Sequence, residues 1–520
     1  MSARHYDVVV LGRSIGALCC AALLARRELR VLVLGQGQRN PLYQVEDYTL
    51  ARRCFTLLSA TSPVFRRILQ ELAQTQRFRR MTTPLDPMFA LLEPRSRFEI
   101  PPDVELFSRE IRREYPEVEQ QVAEFYALVS EANARIDQAF ERDAIWPPGT
   151  LWERLETGRL SSSLPLIESR DGPASLFERL PEEHAFRRVV ELPAFFASHL
   201  GQTPAALPTF ALARLHGSWT RGVHSLPREE QELEDFLVER IESYGGVCRL
   251  RGRASELVIR RGRLLGVQED GEPWLTGAEA VVSSSTGEAL ANLTQGAGVT
   301  RKAREAWPEI GVVGGRFVVN VVVASEGVPA PLARESFLLG PEPSLPTVHM
   351  KRCALPESNG RDGDGPLELL VCESCVTPGI DPLGARAAVL ATLERHLPYI
   401  ARHFRAIDSP HDGLPARLYE PTSEGLRVRE LERVHLREAS VTAEPMEPRL
   451  SVSSGGYLGL SGEPVRGPIP GTYLVGPSVL PALGQEGELL AAWSAARILT
   501  KKDRNRQKLR RQMWTKIETS

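Results

Sequence analysis

Apolar positions run together at the very start of the chain. VVVL at 8–11 is a continuous valine-rich stretch, which predicts a strand buried on both faces. Gly12 ends it, and the small residues from Ala17 to Arg27 predict a helix able to pack tightly on a sheet. Arg30–Leu34 is a second buried strand, so the opening is a βαβ unit. A polar, helix-rich stretch follows over most of 60–227. Its clearest element lies after Pro116, where Val118, Val122, Phe125, Val129, Ala132, Ile136 and Phe140 recur three or four apart and form one apolar stripe. Trp152, Phe195, Phe196 and Trp219 add bulky apolar surface nearby.

From Ser225 the pattern returns to α/β. Pro227 opens a helix with Glu229 and Glu230 in its first turn, where negative charge suits the dipole, and Leu233, Leu237 and Ile241 form its inward face. Strands are predicted at Val247–Leu250, Glu256–Arg260, Leu264–Gln268, Ala280–Ser284, Arg316–Ala324 and Leu367–Val376, with a tight RRGR turn at 260–263. A helix is predicted at Ala385–Leu397. Gly471–Leu499 reads as a strand, a glycine/proline turn and a helix beginning near Gly487. Helix N-termini approached by glycines expose N–H groups that suit phosphate. No internal repeat is visible.

Length and composition narrow the classes. A chain of 520 residues predicts two or more domains, and a net charge of −2 gives no support for bulk nucleic-acid binding. Seven cysteines, odd in number and mostly in apolar segments, predict reduced thiols in a cytoplasmic protein. The Cys372–Cys375 pair is read as part of a buried strand. Arg13 interrupts the first apolar run, so it is read as mature structure rather than a signal peptide. The histidines lack metal-ligand spacing, and no metal site is predicted. The terminal segment 501–520 carries a dense basic run with Leu509, Met513 and Ile517 on one helical face and Trp514 beside it. It reads either as an arm for an anionic membrane surface, making the protein peripheral, or as a solvated extension.

Three blocks carry a resemblance: VVVLGRSIGALCCAALL; the helix from Leu233 with GGVCRLRGRASELVIRRGRLLGV and AVVSSS; and YLVGPSVLPALGQEGELLAAWSAARIL. Together they resemble the phytoene desaturase and carotenoid isomerase group of the amine-oxidase-like flavoproteins. The resemblance implies an α/β fold with a discontinuous Rossmann-like FAD/NAD(P)-binding domain (1–75, 228–300, 455–500). It also implies an α+β substrate domain with a helical lid (76–227, 301–454), followed by the basic tail. The loop of Gly12, Arg13, Ser14, Ile15 and Ala17 would face the FAD pyrophosphate. Gly35 and Gln36 would stand at the ribose. Gly476 and the turn of Gly484, Gln485, Glu486 and Gly487 would lie along the flavin. The implied chemistry is hydride transfer to or from FAD on an apolar, isoprenoid- or lipid-like substrate, with no catalytic side chain assigned.

The chain departs from that family's pattern in several places. Ser14 replaces the second glycine of the phosphate loop. Gly35 replaces the acid that accepts the ribose hydroxyls, removing charge-assisted hydrogen bonds of roughly 1.5–3 kcal/mol each. GQGQRNPLYQVEDYTL lacks the family's Gly-Gly-Arg stretch, and GVHSLPREE lacks its glycine pair. Two readings therefore stand side by side. One is a flavin-dependent oxidoreductase. The other is a cofactor-free protein of the same fold, as in GDP-dissociation inhibitor-like proteins, serving as a binding or escort protein.

Overall fold

The computed structural model describes residues 5–501 except 162–163, 167–175, 202, 204–206, 296, 300, 341–344, 356–364, 423–424, 454–456 and 461. The chain opens with β1 (His5–Leu11), α1 (Ile15–Arg26) and β2 (Val31–Leu34). β1 pairs in parallel with β2 and with Leu275–Ser283. Val247–Arg249 extends the sheet beyond β2, and Thr472–Leu474 extends it beyond Leu275–Ser283. In chain order these five parallel strands lie 3-2-1-4-5, the doubly wound arrangement in which strand order reverses beside the first strand. Both faces are covered, which is why Val8–Leu11 need no polar alternation and are buried throughout. The hairpin of Ala254–Arg260 and Arg263–Glu269 joins the same sheet. Its RRGR turn carries Arg261 and Gly262 at φ 52° and 73°, a primed turn that suits strand twist.

The helices that follow include α2 (Glu119–Phe140), α3 (Leu151–Ser161), α4 (Phe186–Ala197) and α5 (Thr209–Thr220). The stripe read from α2 is buried, from Val122 through Phe140. Helices α6 (Glu229–Ser243) and α7 (Gly484–Thr500) return to the first sheet, where α1 packs against both. α7 starts three residues before Gly487, because a short turn at Pro481–Leu483 delivers the chain directly into Gly484.

A second, ten-stranded sheet is built mainly from the later half of the chain. Its centre is the long strand Ile310–Ala324, flanked by Leu367–Val376 and Phe404–Asp408 and met at its start by Glu447–Val452. At one edge the strands Phe89–Leu92 and Arg97–Ile100 complete it. These two lie inside the stretch read as helix-rich. Four-residue strands carry little periodicity of their own; pairing with Ser336–Leu338 fixes Phe89–Leu92, and Arg97–Ile100 pairs with that strand in turn.

Residues 195–201 tie the two sheets. Arg316 donates to the carbonyls of Phe196 and Ser198, and Arg449 to those of Phe195 and Ser198. His199 N–H donates 3.0 Å to Pro481 O, and Leu450 N–H donates 2.8 Å to His199 O. One short segment thus grips the second sheet and the turn leading into α7. Among the described residues no helix is long and apolar enough to cross a membrane, and no cluster of three metal-ligating groups occurs.

Candidate functional site

In a doubly wound sheet the ligand crevice opens beyond the carboxyl ends of the strands where their order reverses, here beside β1 and Leu275–Ser283. The loop after β1 does lie there, and its N–H groups at Arg13, Gly16 and Ala17 face acceptors of the protein itself. Arg13 N–H donates 2.5 Å to Gln38 Oε1. Ala17 N–H donates 3.3 Å to Ser14 Oγ, so the residue that replaces the second glycine serves as the N-cap of α1. Gly16 N–H faces Glu488 Oε2 at 3.5 Å. A buried carboxylate from α7 therefore stands at the positive end of α1, the place that suits a phosphate. Ile15 is half-buried beside it.

The Arg13 side chain does not reach into open space. Its Nε donates 3.0 Å to Glu234 Oε2 on α6, with a second bond to the other Glu234 oxygen and a third, of 2.9 Å, to Asn40 Oδ1. Both partners are almost wholly buried, at 4% and 5% side-chain exposure.

Gly35 and Gln36 turn toward the neighbouring strand. Gly35 N–H donates to Arg249 O, and a Cβ built at Gly35 would fall 1.8 Å from Leu250 O. The space where an acidic side chain would begin is thus occupied by main chain. Gln36, at φ 52°, pairs both ends of its amide with the backbone of Ala254, at 3.0 and 2.8 Å. Its carboxamide pins the hairpin to the end of β2.

The glycine turn at the other end of the chain is held by the protein itself. Cβ atoms at Gly476, Gly484 and Gly487 would fall 1.9, 2.2 and 2.3 Å from the carbonyl oxygens of Ser284, Ala197 and Leu480. Gln485 Nε2 donates 2.7 Å to Thr56 O. Glu486 accepts two bonds from Arg214 on α5, at 2.6 and 2.7 Å, and one from Ser62. The structure thus brings the β1–α1 loop and the late turn together, through Gly16, Val475 and Glu488; Gly35 follows Leu34, whose carbonyl accepts from Gly12 N–H, and so lies beside the start of the same loop.

Several charged groups here carried no motif. Glu488 Oε1 lies 3.2 Å from His199 Nε2, and Glu447 lies 3.5 Å from the other ring nitrogen. Burial opposes a charge on His199, but the two carboxylates outweigh it and raise its pKa. Burial likewise works against the Glu447 carboxylate, yet His199, Arg316 and Arg53 hold it well below the usual range. Arg53, 41% exposed, pairs with Glu230 on α6. Deeper in the second sheet, Lys351 Nζ donates 2.7 Å to Glu229 and 3.1 Å to Glu335, and Glu335 meets His349 Nε2 at 2.8 Å. Cys54 Sγ lies 3.5 Å from His349 Nδ1. Burial, then the nearby Glu373 and Glu335, push that thiol far above its ordinary range. The one sequence signal for this network is acids inside glycine-rich or apolar runs, as in GQEGELLAAW.

Tested against FAD, these residues do not fit. The pyrophosphate would meet Glu488 and donors already committed to Gln38 and Ser14. The ribose would meet no acid at Gly35, and the late glycines face protein oxygen atoms.

The chain has the architecture of solved structures across nearly its whole length. It is similar to an oxidoreductase from Methanosarcina mazei (14% identity, TM-score 0.56, covering 92% of this chain and 98% of that one). It is similar to the PF1083 protein from Pyrococcus furiosus (14%, 0.54, 95% and 97%). It is also similar to putrescine oxidase bound to putrescine (13%, 0.52, 96% and 99%). The chain shares the mixed α/β, Rossmann-like fold of these structures. At such identities the likeness concerns fold alone. No protein-family model and no curated protein matches the sequence.

Proposed function

We propose that this chain is a cofactor-free protein on the flavoprotein fold, acting by binding rather than by redox chemistry. The observation that carries this reading is the Glu488 carboxylate at the N-terminus of α1. It supplies, from the chain's own α7, the negative charge that a dinucleotide phosphate supplies elsewhere. The Arg13–Glu234 pair and the Leu250 main chain support it, since they take up the space and donors of the neighbouring subsites. The alternative is a desaturase-type hydride transfer on an apolar, isoprenoid- or lipid-like substrate. It is favoured by the fold, and it requires bound flavin.

One measurement separates the two. The purified protein is incubated with excess FAD, gel-filtered, and its visible absorption recorded with a melting curve. The expected result is no flavin absorption and no shift in melting temperature. Near-stoichiometric flavin retained by folded protein would restore the oxidoreductase reading.

A further inference from the structure

The short helix α3 is turned inside out. Its buried side carries Glu153 and Thr157, whereas its outward side carries Leu151, Trp152 and Leu155, exposed to 73%, 77% and 56%. The inward polar groups are fully engaged. Glu153 accepts from Arg466 at 2.8 and 2.5 Å and from the N–H groups of Gly149 and Thr150. Thr157 donates 3.2 Å to Ile145 O. These bonds fix the helix rotation, so the apolar side cannot roll inward without breaking the ion pair between buried Glu153 and half-buried Arg466 and exposing the Glu153 carboxylate's N–H partners. At a helical spacing of 100° per residue, Leu151, Leu155, Arg159 and Trp152 fall on a single solvent-facing arc, with Arg154, also exposed, at its margin.

A second observation concerns charge. Arg497, in the last turn of α7, donates 2.7 Å to Glu156 of α3. The chain therefore leaves the described structure, at Lys501, beside this helix. The terminal segment 501–520 then carries eight Lys and Arg against two acidic residues, on a chain whose total net charge is −2. Large apolar side chains with a tryptophan among them, flanked by arginine and adjoined by a basic segment, are what an anionic bilayer interface binds. The apolar groups enter the headgroup boundary and the cations meet lipid phosphate.

We infer that the outward face of α3 docks on an anionic membrane surface, with the basic terminal segment supplying the electrostatic attraction. This is independent of the flavin question, since α3 contributes nothing to the loop after β1.

The test is co-sedimentation of the full chain with phosphatidylcholine vesicles and with vesicles containing phosphatidylglycerol. Both are repeated with Trp152→Glu/Leu155→Glu and with a chain ending at Lys501. The altered side chains are exposed, so folding should persist, and circular dichroism checks it. Binding is expected only to the anionic vesicles, weakened by salt, and reduced at least about tenfold by either change. Three outcomes would overturn the proposal. One is no binding of the full chain to anionic vesicles at low salt. Another is loss on truncation with the double variant unaffected, which would leave the tail alone as the binder. The last is concentration-dependent dimerisation abolished by the double variant, which would make a second copy the occupant.

Discussion

Removing Glu234 should cost the protein far more than removing an ordinary surface acid. In the wild-type chain Arg13 and Glu234 form a two-pronged ion pair at 4% and 5% exposure, with Asn40 Oδ1 and Gln38 O taking further guanidinium protons. Glu234→Leu leaves that cation buried with only two neutral acceptors. Breaking one side of a buried pair costs about 3–5 kcal/mol, and the remaining acceptors place the expectation near the lower end, about 3 kcal/mol. Arg13→Met leaves the carboxylate without its strongest partner and should cost a similar amount. The double variant Arg13→Met/Glu234→Leu removes both charges and should lie within about 1–2 kcal/mol of wild type, a coupling energy of several kcal/mol. Urea unfolding followed by tryptophan fluorescence and circular dichroism, with a common slope across the four proteins, measures it. If Glu234→Leu costs less than about 1 kcal/mol, or the double variant is as unstable as the two singles together, the pair is not the structural clamp described here. Arg13 would then be available to an external anion.

Further expectations concern other parts of the same interior. Gly35→Asp, which restores the ribose acid by residue type, should lower the melting temperature and gain no FAD, because its Cβ would stand 1.8 Å from Leu250 O. A stable variant that binds flavin would contradict this. His216 is fully buried with Tyr126 OH 3.0 Å from its Nε2, and burial lowers its pKa to about 3. The unfolded state therefore binds the extra proton first. The stabilising effect of a neutral His216 is complete above about pH 6.5 and lost as pH falls toward 3, on the order of 4–5 kcal/mol in all. His216→Gln should flatten that part of the stability–pH curve, and an unchanged curve would show that other groups dominate. Glu486→Gln should destabilise by about 3 kcal/mol in the same urea assay, since Arg214 loses the carboxylate that accepts two of its bonds. A change under about 1 kcal/mol would mean that Asp137, 2.7 Å from Arg214, is a sufficient partner.

Local patterns made much of the fold readable. The valine run of β1, the small residues of α1 and the RRGR turn each encode their conformation within a few residues, and the structure has them at those positions. The glycines of the late turn were readable as tight, but not for the reason. Their constraint is the main chain of Ser284 and Ala197, 192 and 287 residues away, and of Leu480 across the short turn, and spacing within a motif does not reveal which atoms press on it. Gln36 illustrates the same limit. It stands where a ribose ligand is expected, and only the placement of Ala254 beside β2 turns it into a splint. Glu488, His199, Glu447 and Arg53 come from four separate stretches, and no one of them has a neighbour in sequence that announces the others. The strand at Phe89–Leu92 owes its form to pairing with Ser336–Leu338, far outside any window centred on it, and Arg97–Ile100 completes a hairpin on that strand.

The packing of α1 against α7 sets an order on synthesis. β1 and α1 emerge from a ribosome well over 400 residues before Val475 and Glu488, on which the face of α1 at Gly16 rests. Strand Thr472–Leu474 is likewise the last to join the first sheet. This unit therefore stays open, with its apolar edges unsealed, until residues 472–488 have been translated. A nascent chain stalled before residue 470 should expose β1 and α1 to chaperones and proteases. One released after residue 500 should protect them, so that the N-terminal segment serves as a timer for completion of the C-terminal one.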